Sequence, residues 1–305
     1  MLTNFLNALP STLEQGLIYA VLALGILITY DILDFPDLTV DGSFPLGGAV
    51  STTLLLRGAH PLVALCGALA AGAAAGLCTG LIHVKLKVRD LFSGIIMMTG
   101  LYSINLHIAG GSALMSIGKK QTTLFRNNPL ADGLGDAATL VIVLLVVAVC
   151  KVLLDLFLKT RAGYLLRAAG DNETVVTALA KDKGTVKIGG LMLANALAAL
   201  SGGILCQQQR LFEISMGTGA MVLGLASVII GLNLFRKVSF IRSTTAVVVG
   251  AIVYKLCVSL AISCGLGASD LKLITALLFL LILASGALRQ GRRNRKTGKG
   301  AANHA

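Results

Sequence analysis

Two stretches of this 305-residue chain gather the side chains that could do chemistry. The first, Asp31 to Gly48, sets Asp31, Asp34, Asp37 and Asp41 beside the hydroxyls of Thr39 and Ser43, with Pro36, Pro45, Gly42, Gly47 and Gly48 among them. Carboxylates and hydroxyls so placed can border the path of a polar solute. The prolines and glycines argue against a regular span, and irregular backbone at membrane depth must be buried in protein or line water. The second stretch, Lys159 to Lys187, carries six Lys or Arg residues and suits docking. Catalytic groupings are missing. The six cysteines have neither metal-ligand nor redox spacing, the four histidines form no His-Glu-x-x-His pattern, and no serine sits in a Gly-x-Ser-x-Gly setting. Gly118-Lys119 is not a phosphate loop, because Ala113 and Lys120 stand where that loop needs Gly and Ser or Thr. No metal and no cofactor is expected, and any ATP hydrolysis belongs to another chain.

The elements that must position these stretches are membrane helices. The chain is 55% hydrophobic and 13% charged, with mean hydropathy +0.84, against about a quarter charged in soluble domains. Apolar runs predict spans at 12–30, 44–57, 61–82, 91–109, 137–158, 186–206, 217–235, 244–263 and 271–288, most near the roughly 20 residues a crossing needs. The second run is short and interrupted by Pro45, Gly47 and Gly48. From Met1 to Ser11 there is no Lys or Arg, so no secretory signal is expected and the first run is a retained span. Of the 26 basic residues, 18 fall in the loops 83–90, 159–187 and 236–242 and in the tail from 289, which assigns these to the cytoplasm. The net charge of +12 therefore reflects orientation and lipid contact, not nucleic-acid binding. Nine crossings put the N-terminus outside; a re-entrant 44–57 puts it inside. The expected fold is all-α and polytopic, with eight or nine helices. Residues 1–288 form one domain and 289–305 a disordered basic tail. Spans one to four and six to nine share a grammar of long span, polar stretch, Gly-rich segment and two more spans. Inverted repeats of this kind point to the solute path at their breaks, here 31–48 and 207–224.

Two motifs add a resemblance. Arg161-Ala162-Gly163, Arg167-Ala168-Ala169-Gly170-Asp171-Asn172 and the closing Gly184 resemble the cytoplasmic coupling loop of ABC-importer permeases of the branched-chain amino acid and ribose type. Asp37-Leu38-Thr39-Val40-Asp41-Gly42-Ser43 is similar to the Asp-Leu-Ser-Val-Gly motif of the sugar permeases with Asp41 interposed. The wider run Phe35 to Gly48 looks most like the tryptophan/tyrosine import permeases. The resemblance implies ATPase-coupling roles for Arg161, Gly163, Arg167, Ala168, Gly170, Asp171, Asn172 and Gly184. It also implies two cytoplasmic ATP-binding subunits, an extracytoplasmic solute-binding protein, a homodimer or paired permease, and a location in the bacterial cytoplasmic (inner) membrane. The solute it implies is small, most readily an amino acid.

The coupling stretch predicts a helix over 162–180 lying across the membrane surface. Candidates for the translocation path are Asp37, Thr39, Asp41, Gly42, Ser43, Asn105, Asn195, Ser227 and Lys255. Lys151 can snorkel to the inner surface, whereas Lys255, near mid-span, calls for an ion pair or a pore wall. The rival reading is a self-sufficient ion- or proton-coupled transporter, which needs membrane-embedded carboxylates free to act as relays; only the 31–41 group and Asp155 are available.

Overall fold

The computed structural model describes residues 2–119, 121–128, 137–171, 183–236, 238, 240–263, 273, 275–277 and 280. Helix α1 (Leu2–Ile26) runs on through a π-helical turn, Leu27–Ile32. Then follow α2 (Val40–Leu56), α3 (Pro61–Lys85), α4 (Asp90–Ile108) and strand β1 (Leu114–Ser116). The second part comprises α5 (Ala138–Phe157), α6 (Arg161–Asp171), α7 (Lys183–Gln209), strand β2 (Leu211–Glu213) and a 3-10 turn, Ile214–Gly217. Helices α8 (Ala220–Phe235) and α9 (Ser243–Ser263) complete it. Among the described residues seven helical segments are long and apolar enough to cross a membrane, against the eight or nine expected; a polytopic all-α protein fits. The predicted ninth span at 271–288 and the tail lie largely outside the described residues.

The second span corrects the sequence expectation. The break predicted across 31–48 is confined to the connector 33–39; α2 begins at Val40 and continues unbroken through Pro45, Gly47 and Gly48. Pro45 cannot donate to the Asp41 carbonyl one turn back. That oxygen instead faces Gly217, where a Cβ would collide with it. A Cβ at Gly47 would strike the Ala199 carbonyl, and one at Gly48 would lie 2.7 Å from the Cys206 sulfur. These residues admit neighbours; they do not end the helix. At 17 residues α2 is short, is buried along most of its length and leads to α3 through a four-residue turn.

Small residues set the remaining packing. Across α3 and α7, Gly72 and Gly76 lie on the carbonyls of Asn195 and Leu191, and Gly80 on Ile188. The descending partner numbers make the pair antiparallel. α1 meets α9 the same way: Thr12 donates to Ser259 at 3.0 Å, and Gly16 lies on Ile252. Gly231 and Gly250 knit α8 to α9, as Gly67 does α3 to α2. α1 and α7 cross antiparallel at the centre, where Ser201 donates to the Ile18 carbonyl at 2.8 Å. Thus α7 is to α3 what α1 is to α9, and α2 is to α3 what α8 is to α9, the pairing an inverted repeat requires.

The basic loops converge at one end of the bundle. Lys87, Arg89, Lys183 and Lys187 border one cleft there, and Lys159, Arg167 and Arg242 another. At the opposite end β1 pairs antiparallel with β2, Met115 facing Phe212, tying the first part of the chain to the second.

The glycine seams can be tested directly. Gly72→Val forces a side chain into the α7 backbone and should cost about 1–3 kcal/mol, read as a lower thermal midpoint of the detergent-extracted protein. Gly100→Ala, where nothing lies within 4 Å, should leave the midpoint in place.

Candidate functional site

The connector 33–39 has no helix to satisfy its polar groups, and the bundle answers them. Asp37, Thr39, Ser43 and Asn195 are fully buried. One carboxylate oxygen of Asp37 accepts the Thr39 amide at 2.9 Å, and the other accepts the Asn195 side-chain amide at 2.7 Å. Asn195 gives its second amide hydrogen to the Leu191 carbonyl at 3.0 Å and accepts the Ser43 hydroxyl at 2.7 Å. The hydroxyls of Thr39 and Thr79 lie 2.8 Å apart. Every hydrogen-bonding group of Asn195 is thereby used, which fixes the connector to α7.

Asp41 joins the two breaks. Its carboxylate oxygens accept the amides of Met221 at 2.7 Å and Gly219 at 3.1 Å. Gly219, the N-cap of α8, sits at φ 82 and has no capping side chain. The first amides of α8 would be orphans, so an aspartate from another helix supplies the acceptor, placed where a helix N-terminus favours negative charge. Beside this joint lies a cavity of about 390 Å³ between α2, α4 and the 214–218 turn. Asp41, Gly42 and Asn105 contribute to its wall, with Met98, Tyr102 and Ile214. Asn105 is 1% exposed and donates to the Gly42 carbonyl at 3.1 Å.

The coupling stretch folds as the short helix α6. Gly163 presses on the Phe157 carbonyl and Gly170 on the Ile32 carbonyl, contacts that no Cβ could share. Leu166 and Ala169 are buried between them, and the Leu166 side chain reaches Gly190 beside Leu33. Arg161, Tyr164 and Arg167 are exposed and Ala168 is half-buried. Arg167 borders a cavity of about 430 Å³ shared with Lys159, Arg242, Asp31 and Asp155. Asp155 is held by Lys151 at 3.2 Å, Arg242 at 3.0 Å and Thr244 at 2.6 Å. Gly184 is buried in the first turn of α7. Asn172 and the predicted helical continuation to 180 lie outside the described residues.

The family described as "Branched-chain amino acid transport system / permease component" matches residues 9–285. The chain belongs to this permease family. The permease is 43% identical over 283 residues to the "Tyrosine transport system permease protein" of Clostridioides difficile, covering 93% of this chain and 92% of that one. It is 31% identical over 285 residues to an uncharacterized protein of Rickettsia prowazekii, covering 92% and 98%. To the ribose import permease protein of Escherichia coli it is 28% identical over 229 residues, covering 74% and 69%. It is therefore a multi-pass membrane permease component of ABC-type transport systems, and its named relatives are transport subunits, not enzymes.

The permease brings seven of the nine path candidates to α2 and its neighbours. Asp37, Thr39, Ser43 and Asn195 form the closed network, whereas Asp41, Gly42 and Asn105 border the cavity. The other two lie apart. Ser227 donates to its own helix at Leu223, and its carbonyl packs on Gly250. The Lys255 ammonium lies 3.9 Å over the ring of Tyr19, which stacks on Phe44. Lys151, expected as an inner-surface anchor, ion-pairs with Asp155 one turn along. Sequence reading missed Thr79, Tyr102 and the amides of Gly219 and Met221. The pair Gly217-Thr218-Gly219 before an apolar run was the available signal for the last two.

The Asp37–Asn195 pair predicts an asymmetric response. Asn195→Asp sets two buried carboxylates together and should destabilise by several kcal/mol. Adding Asp37→Asn restores one amide facing one carboxylate and should recover most of the lost thermal midpoint.

Proposed function

We propose that this permease is the membrane-spanning subunit of an ATP-driven importer, with α6 as the lever on which cytoplasmic ATP-binding subunits act. The observation that carries this reading is the two-sidedness of α6. Gly163, Leu166, Ala169 and Gly170 lock it to the ends of α5 and α1 and to α7, while Arg161, Tyr164 and Arg167 stand outward. A push on α6 reaches Ile32 through Gly170, then the connector 33–39, then Asp41 and the cavity. Asn195, on the helix that α6 also touches, holds that connector from its other side. Partners supply the energy, and this chain supplies the lever and the path. The complex is read as a homodimer or paired permease in the bacterial inner membrane, fed by an extracytoplasmic solute-binding protein at the β1–β2 end. Arg161, Gly163, Arg167, Ala168, Gly170, Asp171, Asn172 and Gly184 are the coupling set. Asp41, Gly42 and Asn105 are the core of the path. The named function of the Clostridioides difficile relative supports an amino acid as the solute.

The rival, a transporter coupled to an ion gradient, needs carboxylates free to load and release protons or ions. Asp155 is held by two cations and a hydroxyl, and both oxygens of Asp37 are taken. Neither of these two is placed to act as a relay, whereas Asp34 is exposed and Asp41 borders the cavity.

The docking face can be separated from the fold. Arg167→Glu alters an outward side chain, so the variant should elute and melt like wild type but fail to co-purify with a co-expressed ATP-binding subunit. Retention of that subunit by both Arg167→Glu and a Tyr164→Ala variant would sink the lever assignment. Uptake by the permease alone in liposomes, driven by an ion gradient, would establish the rival.

A further inference from the structure

The cavity beside Asp41 shows an imbalance that points to its occupant. Asn105 is 1% exposed, its amide nitrogen is spent on Gly42, and its Oδ1 has no hydrogen-bond partner. The amide orientation follows from the Gly42 carbonyl, which accepts and so faces nitrogen. A buried acceptor without a donor is costly. The second polar group on the wall is the Asp41 carboxylate. Each of its oxygens takes one main-chain amide and keeps capacity for another hydrogen bond. Among the described residues, no Lys, Arg or His lines the cavity. Acceptors and a negative charge with no cation repel a free carboxylate or phosphate and suit a group that donates several hydrogens and carries positive charge. Met98, Tyr102, Pro45 and Ile214 give the wall an apolar and aromatic side, and Thr99, Ser215 and Thr218 add neutral hydroxyls.

Resting on the permease reading, we infer that this cavity is a binding site for a primary ammonium on an apolar or aromatic body. The ammonium donates to Asn105 Oδ1 and Asp41, and the body lies against Met98, Tyr102 and Ile214. In a zwitterionic ligand the carboxylate points away from Asp41, toward the hydroxyls of Tyr102 and Thr218. A neutral sugar leaves the charge of Asp41 unanswered, and a deaminated acid meets it as a like charge.

The test is equilibrium binding of radiolabelled tyramine, L-tyrosine and deaminated hydroxyphenylpropionate to the full-length permease in lipid nanodiscs. Both amines should bind, and the deaminated acid at least about tenfold more weakly. Asn105→Leu should weaken both amines by a similar factor. Asn105→Asp, which adds charge at the acceptor, should hold or tighten them, a pattern that a purely structural Asn105 would not give. If Asn105→Leu fails to fold, Tyr102→Ala carries the test: its side chain is exposed and leaves the Asn105–Gly42 bond alone, and it too should weaken both amines. Equal binding of the acid and the amines overturns the inference, as does the absence of amine binding to wild type. ATP-driven uptake by the complete importer in liposomes then separates the failures. Uptake without amine binding leaves the permease reading standing and removes only this site; no uptake removes the reading as well.

Discussion

A single aspartate satisfies main-chain groups that lipid cannot. Inside a membrane the first amides of a helix have no water to turn to, and α8 begins inside the bundle. Asp41 meets that demand with both oxygens of its side chain. Its carbonyl, freed by Pro45 one turn later, lies against Gly217. One residue of the first part of the chain thus uses side chain and main chain on the irregular turn of the second part. That double engagement explains three neighbours at once. Gly217 must lack a Cβ, Gly219 holds a positive φ, and the carbonyl that Pro45 leaves unbonded is the one that lies against Gly217.

From that joint the structure can be followed to the basic end without leaving covalent or tightly packed contact. Asp41 lies two residues past Thr39, whose amide is fixed to Asp37, and Asp37 is fixed to Asn195 on α7. At the other end of the connector the Ile32 carbonyl bears on Gly170 of α6. The connector is therefore a short segment held at both ends, with both oxygens of Asp37 taken and Asp34 left exposed. Such a segment passes displacement from the basic end to the joint.

How much of this was legible depended on whether a signal averages over many residues or rests on one contact. Spans come from runs of apolar residues, and seven of them appear among the described residues, while Lys and Arg from the basic loops border two clefts. Pro45, Gly47 and Gly48 misled because their usual reading assumes a helix surrounded by water. Buried among helices, the same residues are where another backbone comes close. Lys151 had its answer four residues on in Asp155, a spacing visible in the sequence. Thr79 and the amides of α8 were out of reach, since nothing local tells a threonine which helix will lie opposite, and main-chain donors leave no trace in residue type. The corresponding breaks of the two halves were anticipated from pattern alone, but their meeting at Asp41 is a tertiary fact.

The seam between α3 and α7 has its own consequence. Gly72 and Gly76 bring main chain against main chain, and Gly80 packs on Ile188. The two helices come from different halves of the chain, yet their backbones lie in direct contact. A motion that carried the halves apart as wholes would have to part these contacts, and glycine has no side chain with which to bridge the gap.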